Sequence, residues 1–155
     1  MAEVARQVKC LLLPMAGTPV IVPNSAVAEI VTQQDIAPPN GETPDWFLGT
    51  GTWRGTEIPL ISFDRLSGDR HDVPRAAGRF VILFGIEWEG APAFYGIRIE
   101  ALPRSETVNA ERLARAQGPT PESEYIAARA TVGGDRECLV PDFDQLGRTI
   151  SRYSR

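Results

Sequence analysis

The chain has 155 residues, 43% hydrophobic and 23% charged, with a formal net charge of -4. That balance is globular rather than disordered, and a chain this long buries enough surface to fold without disulfide or metal staples. The acidic total and the lack of a Lys/Arg cluster argue against a nucleic-acid binder, and no window reaches the roughly 18 apolar residues of a membrane helix, so a cytoplasmic location without membrane insertion is expected.

Proline and glycine, 13 and 14 residues, cut the chain into short pieces, which predicts a mainly β fold. Val8 to Leu13 predicts a first strand and Thr18 to Val22 a second, turned back across Pro14 and Ala16-Gly17. Asn24 is placed to cap a short helix over Ser25 to Ile30. Ala26, Val27, Ile30 and Val31 would share one face of it, with Glu29 turned away. Asp35 to Pro44 is a Pro-rich loop, and Trp46-Phe47-Leu48 an apolar cluster. Gly49 to Trp53 and Thr56 to Ile61 read as strands around an Arg54-Gly55 turn. Asp69 to Gly78 reads as a polar linker.

Arg79 to Ile86 is an almost unbroken apolar run, as expected of a strand buried on both faces. Gly90 and Pro92 mark a turn. Phe94 to Ile99 alternates, with Tyr95, Ile97 and Ile99 on one side and Gly96 and Arg98 on the other. Leu102 to Val108 carries strand character past Pro103, and Asn109 is placed to cap a helix through Gln117. Tyr125 to Val132 and Arg136 to Val140 predict a last hairpin across Gly133-Gly134-Asp135. Asp142 and Gln145 have the form of a capping box, opening a helix whose Phe143, Leu146 and Ile150 share a face. The run Ile61-Ser62-Phe63-Asp64-Arg65-Leu66 is echoed in Pro141-Asp142-Phe143-Asp144-Gln145-Leu146. The echo is either a chance match or the trace of a duplication.

Residues that carry chemistry are sparse. Cys10 and Cys138 sit at opposite ends of the chain and form no CxxC pair, so they read as small buried hydrophobes. His71, the single histidine, lies in the polar linker with no base–nucleophile partner beside it. Asp135, Glu137, Asp142 and Asp144 lack the alternation of a calcium loop and are accounted for by turns and caps. No phosphate loop, dinucleotide fingerprint or nucleophile elbow is present. No catalytic residue, metal or cofactor is therefore expected.

The most specific pattern runs from Gly49 to Leu66: a glycine five residues before an Arg54-Gly55 turn, an apolar strand with Pro59, then Asp64-Arg65-Leu66. It is similar to the CheW family of chemotaxis adaptors. Val27-Ala28-Glu29-Ile30 resembles the family's V-x-E-I segment. Gly96 to Leu102 and Leu139 to Leu146 resemble its later strand and its terminal strand and helix, in family order. Glu100 stands where Asp is usual, and Trp53 where an aliphatic residue is usual. The Asp69 to Gly78 linker is short on apolar residues, and the short chain resembles a divergent, ChpC-like branch linked to type IV pilus control and twitching motility.

The resemblance implies two five-stranded SH3-like β-barrel lobes with a few short helices. After a tail at 1–7, one domain would fill 8–155, with lobes near 8–68 and 79–141, a linker at 69–78 and a C-terminal helix at 142–150. It further implies a non-enzymatic adaptor. One surface would bind the regulatory domain of a CheA-type histidine kinase and another the cytoplasmic tip of a chemoreceptor. On matching positions the partner-facing residues would be Val27, Glu29, Gly49, Trp53, Arg54, Gly55 and Gly96. For several of these a structural duty is the competing reading: Arg54 as a turn anchor, the glycines as close-approach positions, and Val27 and Trp53 as core. Other functions stand as alternatives: a β-barrel sensor of small ligands or a minor hydrolase, the latter disfavoured by the scarcity of His and Cys, and a homo-oligomer that pairs strand edges.

Overall fold

The computed structural model describes residues 7–68, 76–85, 92–109, 123–132 and 136–153. Its strands are β1 (Gln7–Leu13), β2 (Val20–Pro23), β3 (Val27–Gln34), β4 (Phe47–Trp53), β5 (Thr56–Ile61), β6 (Gly78–Phe84), β7 (Phe94–Arg98), β8 (Arg104–Asn109), β9 (Ile126–Val132) and β10 (Arg136–Pro141). Among the described residues the short helices are α1 (Phe63–Leu66) and α2 (Phe143–Ser151), with a 3-10 turn at Asn24–Ala26. The strands form two five-stranded sheets, ordered β8-β1-β2-β10-β9 in a first lobe and β3-β6-β7-β5-β4 in a second.

Side-chain alternation sorts the apolar residues into three cores. In the first lobe Cys10, Leu12, Ile21 and Cys138 point inward, whereas Leu13, Val20 and Val22 point out. In the second lobe Phe80 and Ile82 point inward with Leu48, Trp53, Ile58 and Leu60. Their neighbours Val81 and Leu83 point out, with Tyr95 and Ile97. The outward faces of the two lobes meet, and Leu146 and Ile150 of α2 complete the central cluster. The unbroken apolar run of β6 thus has a simple cause: one face serves its own lobe and the other serves the junction. Burial pushes the Cys138 thiol up to about 11, with Cys10, Glu137 and Glu106 adding to the effect, and raises Cys10 as well.

Three polar links fasten the lobes across the junction. The Asp64 carboxylate in α1 accepts hydrogen bonds from the Ala16 and Gly17 amides in the β1–β2 turn, both 3.1 Å. The Glu100 amide donates to the Pro14 carbonyl at 2.8 Å. Beyond α2, Tyr153 packs edge-on against Trp46 with centroids 5.4 Å apart.

Two expectations are corrected. The segment after Asn24 is not a helix through Ile30: a 3-10 turn ends at Ala26 and β3 begins at Val27. The register of β3 slips against β6 between Val27 and Glu29. That slip sends Val27 and Ile30 to the central cluster and Ala28 and Val31 to the inner core of the second lobe. The lobes also do not divide near 69–78. The first takes β1 and β2 from the N-terminal half and β8 to β10 from the C-terminal half, while β3 to β7 make the second. Gly78 belongs to β6 rather than to a linker. His71, the Gly90 turn, the helix expected after Asn109 and the Gly133–Asp135 turn lie outside the described residues.

The sequence echo is a structural duplication. Strands β5 and β10 each run parallel to a central strand, β7 and β2 respectively, while the other pairings are antiparallel. Each is followed by a capped helix. The Ser62 hydroxyl accepts from the Arg65 amide, and the Asp142 carboxylate from the Gln145 amide. The amides of Ser62 and Asp142 donate to the carbonyls of Trp46 and Tyr125, both at 2.8 Å. The cap of α2 is therefore half of a capping box, its backbone N–H being satisfied by Tyr125 instead. Even the irregularities repeat, between Phe47 and Gly49 in one lobe and at Val140/Pro141 in the other. These registers make Leu13 equivalent to Leu83, Val20 to Tyr95, and Val132 to Trp53.

Candidate docking face

Arg54 and Gly55 form a two-residue hairpin turn between β4 and β5, with φ of 48° and 77°. Two left-handed residues give the turn whose twist suits adjacent strands. Gly55 tolerates this freely, but Arg54 sits there at a cost of about 1 kcal/mol. The turn aims the guanidinium back over the strand. Its Cζ lies 4.9 Å from the Trp53 ring centroid, and Nη2 donates to the Glu29 carboxylate at 2.7 Å. The Arg54 side chain is 67% exposed and that of Glu29 38%. An ion pair so exposed contributes roughly 0.2–1 kcal/mol, and a surface cation–π contact a similar amount. These contacts orient the arginine without burying it.

Beneath it an aromatic stack supports the face. Trp53, only 7% exposed, lies 4.8 Å from Phe94, which lies 5.5 Å from Phe84. Phe84 is 49% exposed. The outer end of the second lobe thus presents an aromatic ring, a fixed guanidinium and a carboxylate on one rigid base.

The glycines sort differently. Gly49 has φ 142°, and a Cβ there would fall 2.0 Å from the Ala37 carbonyl oxygen. That oxygen accepts from the Thr50 amide at 2.9 Å, and the Ala37 amide donates to the Thr50 carbonyl at 2.7 Å. Ala37 follows β3 and Thr50 lies in β4, the two ends of the second sheet, so this bridge closes the lobe. The buried side chain of Gln34 crosses the same seam, its Nε2 donating to Asp35 and Thr52 carbonyls. Gly96 is internal: a Cβ would fall 2.6 Å from Leu60 and 3.2 Å from Ile82. Val27 packs against the central cluster.

Of the seven predicted residues, Glu29, Trp53, Arg54 and Gly55 come together on one face. Gly49 and Gly96 serve closure and packing, and Val27 serves the junction. Phe84 and Phe94 escaped sequence reasoning because they read as members of buried strands. The signal lay in Gly85, where a Cβ would strike the Pro92 carbonyl at 1.9 Å; the two chain segments stay close there, the Gly85 amide donating to the Ala93 carbonyl at 2.7 Å, beside the half-exposed Phe84. Among the described residues no group of three or more His, Cys, Asp and Glu side chains is placed to hold a metal ion, and no helix is long and apolar enough to cross a membrane.

Comparison with known proteins agrees with this architecture. The pattern that describes CheW-like domains matches residues 9–150. The fold is similar to the crystal structure of the scaffolding protein TtCheW from Thermoanaerobacter tengcongensis, with a TM-score of 0.70 at 16% identity, covering 88% of this chain and 90% of that one. No curated protein sequence matches the chain.

Proposed function

The chain belongs to the family of CheW-like domains, and we propose that it is a non-enzymatic adaptor joining a chemoreceptor to a CheA-type histidine kinase in a chemotaxis-like pathway. Two small rigid lobes with sites on each act by raising the effective concentration of kinase at the receptor. The single observation that carries this reading is the conformation of Arg54. A left-handed arginine costs stability where Asn, Asp or Gly would sit at ease. An arginine in that place, aimed by Trp53 and Glu29 yet largely open to solvent, suits a fork donor held ready for a partner. Arginine and tryptophan are the side chains most enriched at interface hot spots. A finer reading is a ChpC-like adaptor of type IV pilus control.

The test is Arg54→Glu in the full chain, with retention of an immobilised receptor tip and of a kinase regulatory domain measured separately. Loss of at least one with an unchanged circular dichroism spectrum is the expected result. Retention of both at wild-type strength removes Arg54 from the docking surface. Comparing regulatory domains from flagellar and pilus systems decides the branch.

A further inference from the structure

The duplication places a second end-face on the first lobe, opposite in character to the Arg54 face. At its outer end the β1–β2 hairpin closes at Leu13 and Val20, where β6–β7 runs on to Phe84 and Phe94. Pro14 and Pro19 thus stand where the second lobe has two phenylalanines, and Val132 stands where it has Trp53. In the second lobe those three rings fill the end of the barrel. In the first lobe their absence leaves a groove of about 320 Å³ lined by Leu12, Pro14, Met15, Pro19, Arg104 and Arg136.

The charge reverses as well. Leu12 pairs with Arg104 as Ile82 pairs with Glu29, so a guanidinium replaces the carboxylate. Arg136, opposite Val132 as Thr56 is opposite Trp53, adds a second cation. Neither arginine has an ion pair or hydrogen-bond partner among the described residues. Among the described residues that line the groove the one acid, Glu137, is engaged by Arg129.

We propose that this groove is a ligand site for a small aromatic carboxylate. The ring takes the place that Phe84 and Phe94 fill in the other lobe, over Leu12, Met15 and the two prolines. Met15 supplies a polarizable sulfur for the ring edge. The carboxylate lies between Arg104 and Arg136, whose planar guanidinium groups match its geometry. The volume is near the bottom of the roughly 300–1,000 Å³ range of small-molecule sites, enough for one ring and one carboxylate but not for a longer chain. This inference is independent of the docking role assigned to Arg54.

The experiment is an amide NMR titration of the full chain with phenylacetate, with 2-phenylethylammonium, and with a capped Glu-Phe-Glu tripeptide. Phenylacetate is expected to give saturable shifts confined to the β1–β2 hairpin, Arg104 and Arg136. The Kd should be about 1 mM, as befits so small a ligand. Arg104→Gln combined with Arg136→Gln weakens it at least tenfold, and Pro19→Phe, which refills the groove from within, abolishes it with both arginines in place. The proposal is overturned if phenylacetate does not saturate, if the ammonium analogue binds equally well, or if only the capped peptide binds, which would make the groove a protein-docking site.

Discussion

Replacing Gly49 with alanine tests the account of how the second lobe closes. At φ 142° an alanine is in a backbone region that side chains avoid, a strain of about 1–3 kcal/mol. The new Cβ also falls 2.0 Å from the Ala37 carbonyl oxygen, and backbone on both sides leaves no flexible atom to give way. Ala37 must retreat, which breaks or stretches both hydrogen bonds of the Ala37–Thr50 bridge, 2.7 and 2.9 Å, at about 1 kcal/mol each. The sum is roughly 3–5 kcal/mol, a large share of the 5–15 kcal/mol by which a domain is stable. Gly55→Ala is the control. It too has a positive φ, 77°, but nothing lies within 4 Å of its Cβ, so only about 1–2 kcal/mol of strain is expected. Urea unfolding of both variants against wild type measures the difference. If Gly49→Ala costs no more than Gly55→Ala, the seam is not held by close approach at Gly49, and the reasoning fails.

Other outcomes follow from the same geometry. Arg54→Asn relieves the turn strain while losing two weak surface contacts, so thermal unfolding should move little, whereas partner retention should drop. A parallel loss of stability would mean that Arg54 is structural. Asp64→Asn removes the charge from a carboxylate that accepts two backbone amides across the lobe junction, and should cost about 2 kcal/mol in denaturant unfolding; a neutral result would deny that the clasp matters. The Cys138 thiol, held up to about 11 against an ordinary 9.0, stays protonated in the folded chain where the unfolded chain already ionises. Its contribution is therefore intact below pH 9 and lost progressively between pH 9 and 11, about 2–3 kcal/mol for a shift of that size. Cys138→Ala should flatten the fall in stability over that window relative to wild type, and an unchanged slope would contradict it.

Most strands were legible in the sequence because their signals are local. The Arg54-Gly55 turn, the alternation of β7 and the cap at Asp142 each depend on neighbours within a few residues. The β3 segment misled for a physical reason. A strand partly buried on both faces with a register slip at Ala28 spaces its central-cluster residues three apart, at Val27 and Ile30, which mimics a helical period. The division into lobes misled because the polar stretch at 69–78 separates two repeats, not two sheets. The exchange lies in the long-range pairings, β1 with β8 and β3 with β6 as well as the parallel contacts of Val20 with Leu139 and Leu60 with Gly96, and no local pattern encodes them. Gly96 was legible as special but not as internal. A missing side chain looks alike in sequence whether it makes room for a partner or for Leu60. The aromatic stack under Arg54 depends on the end of the β6–β7 hairpin, which apolar character alone does not fix.

The exchange of strands between the halves sets the order in which the chain can mature. As synthesis proceeds, the β1–β2 hairpin emerges ahead of the strands that follow it but meets its neighbour β10 only after β3 to β9 have been made. Until then Leu12, Leu13, Ile21 and Val22 have no completed sheet to cover them. The second lobe needs only β3 to β7 and can assemble while the rest is still being made. Such long-separated pairing is slow to form and exposes sticky surface meanwhile. The nascent first hairpin, rather than any part of the finished molecule, is therefore where a holdase chaperone should be found attached.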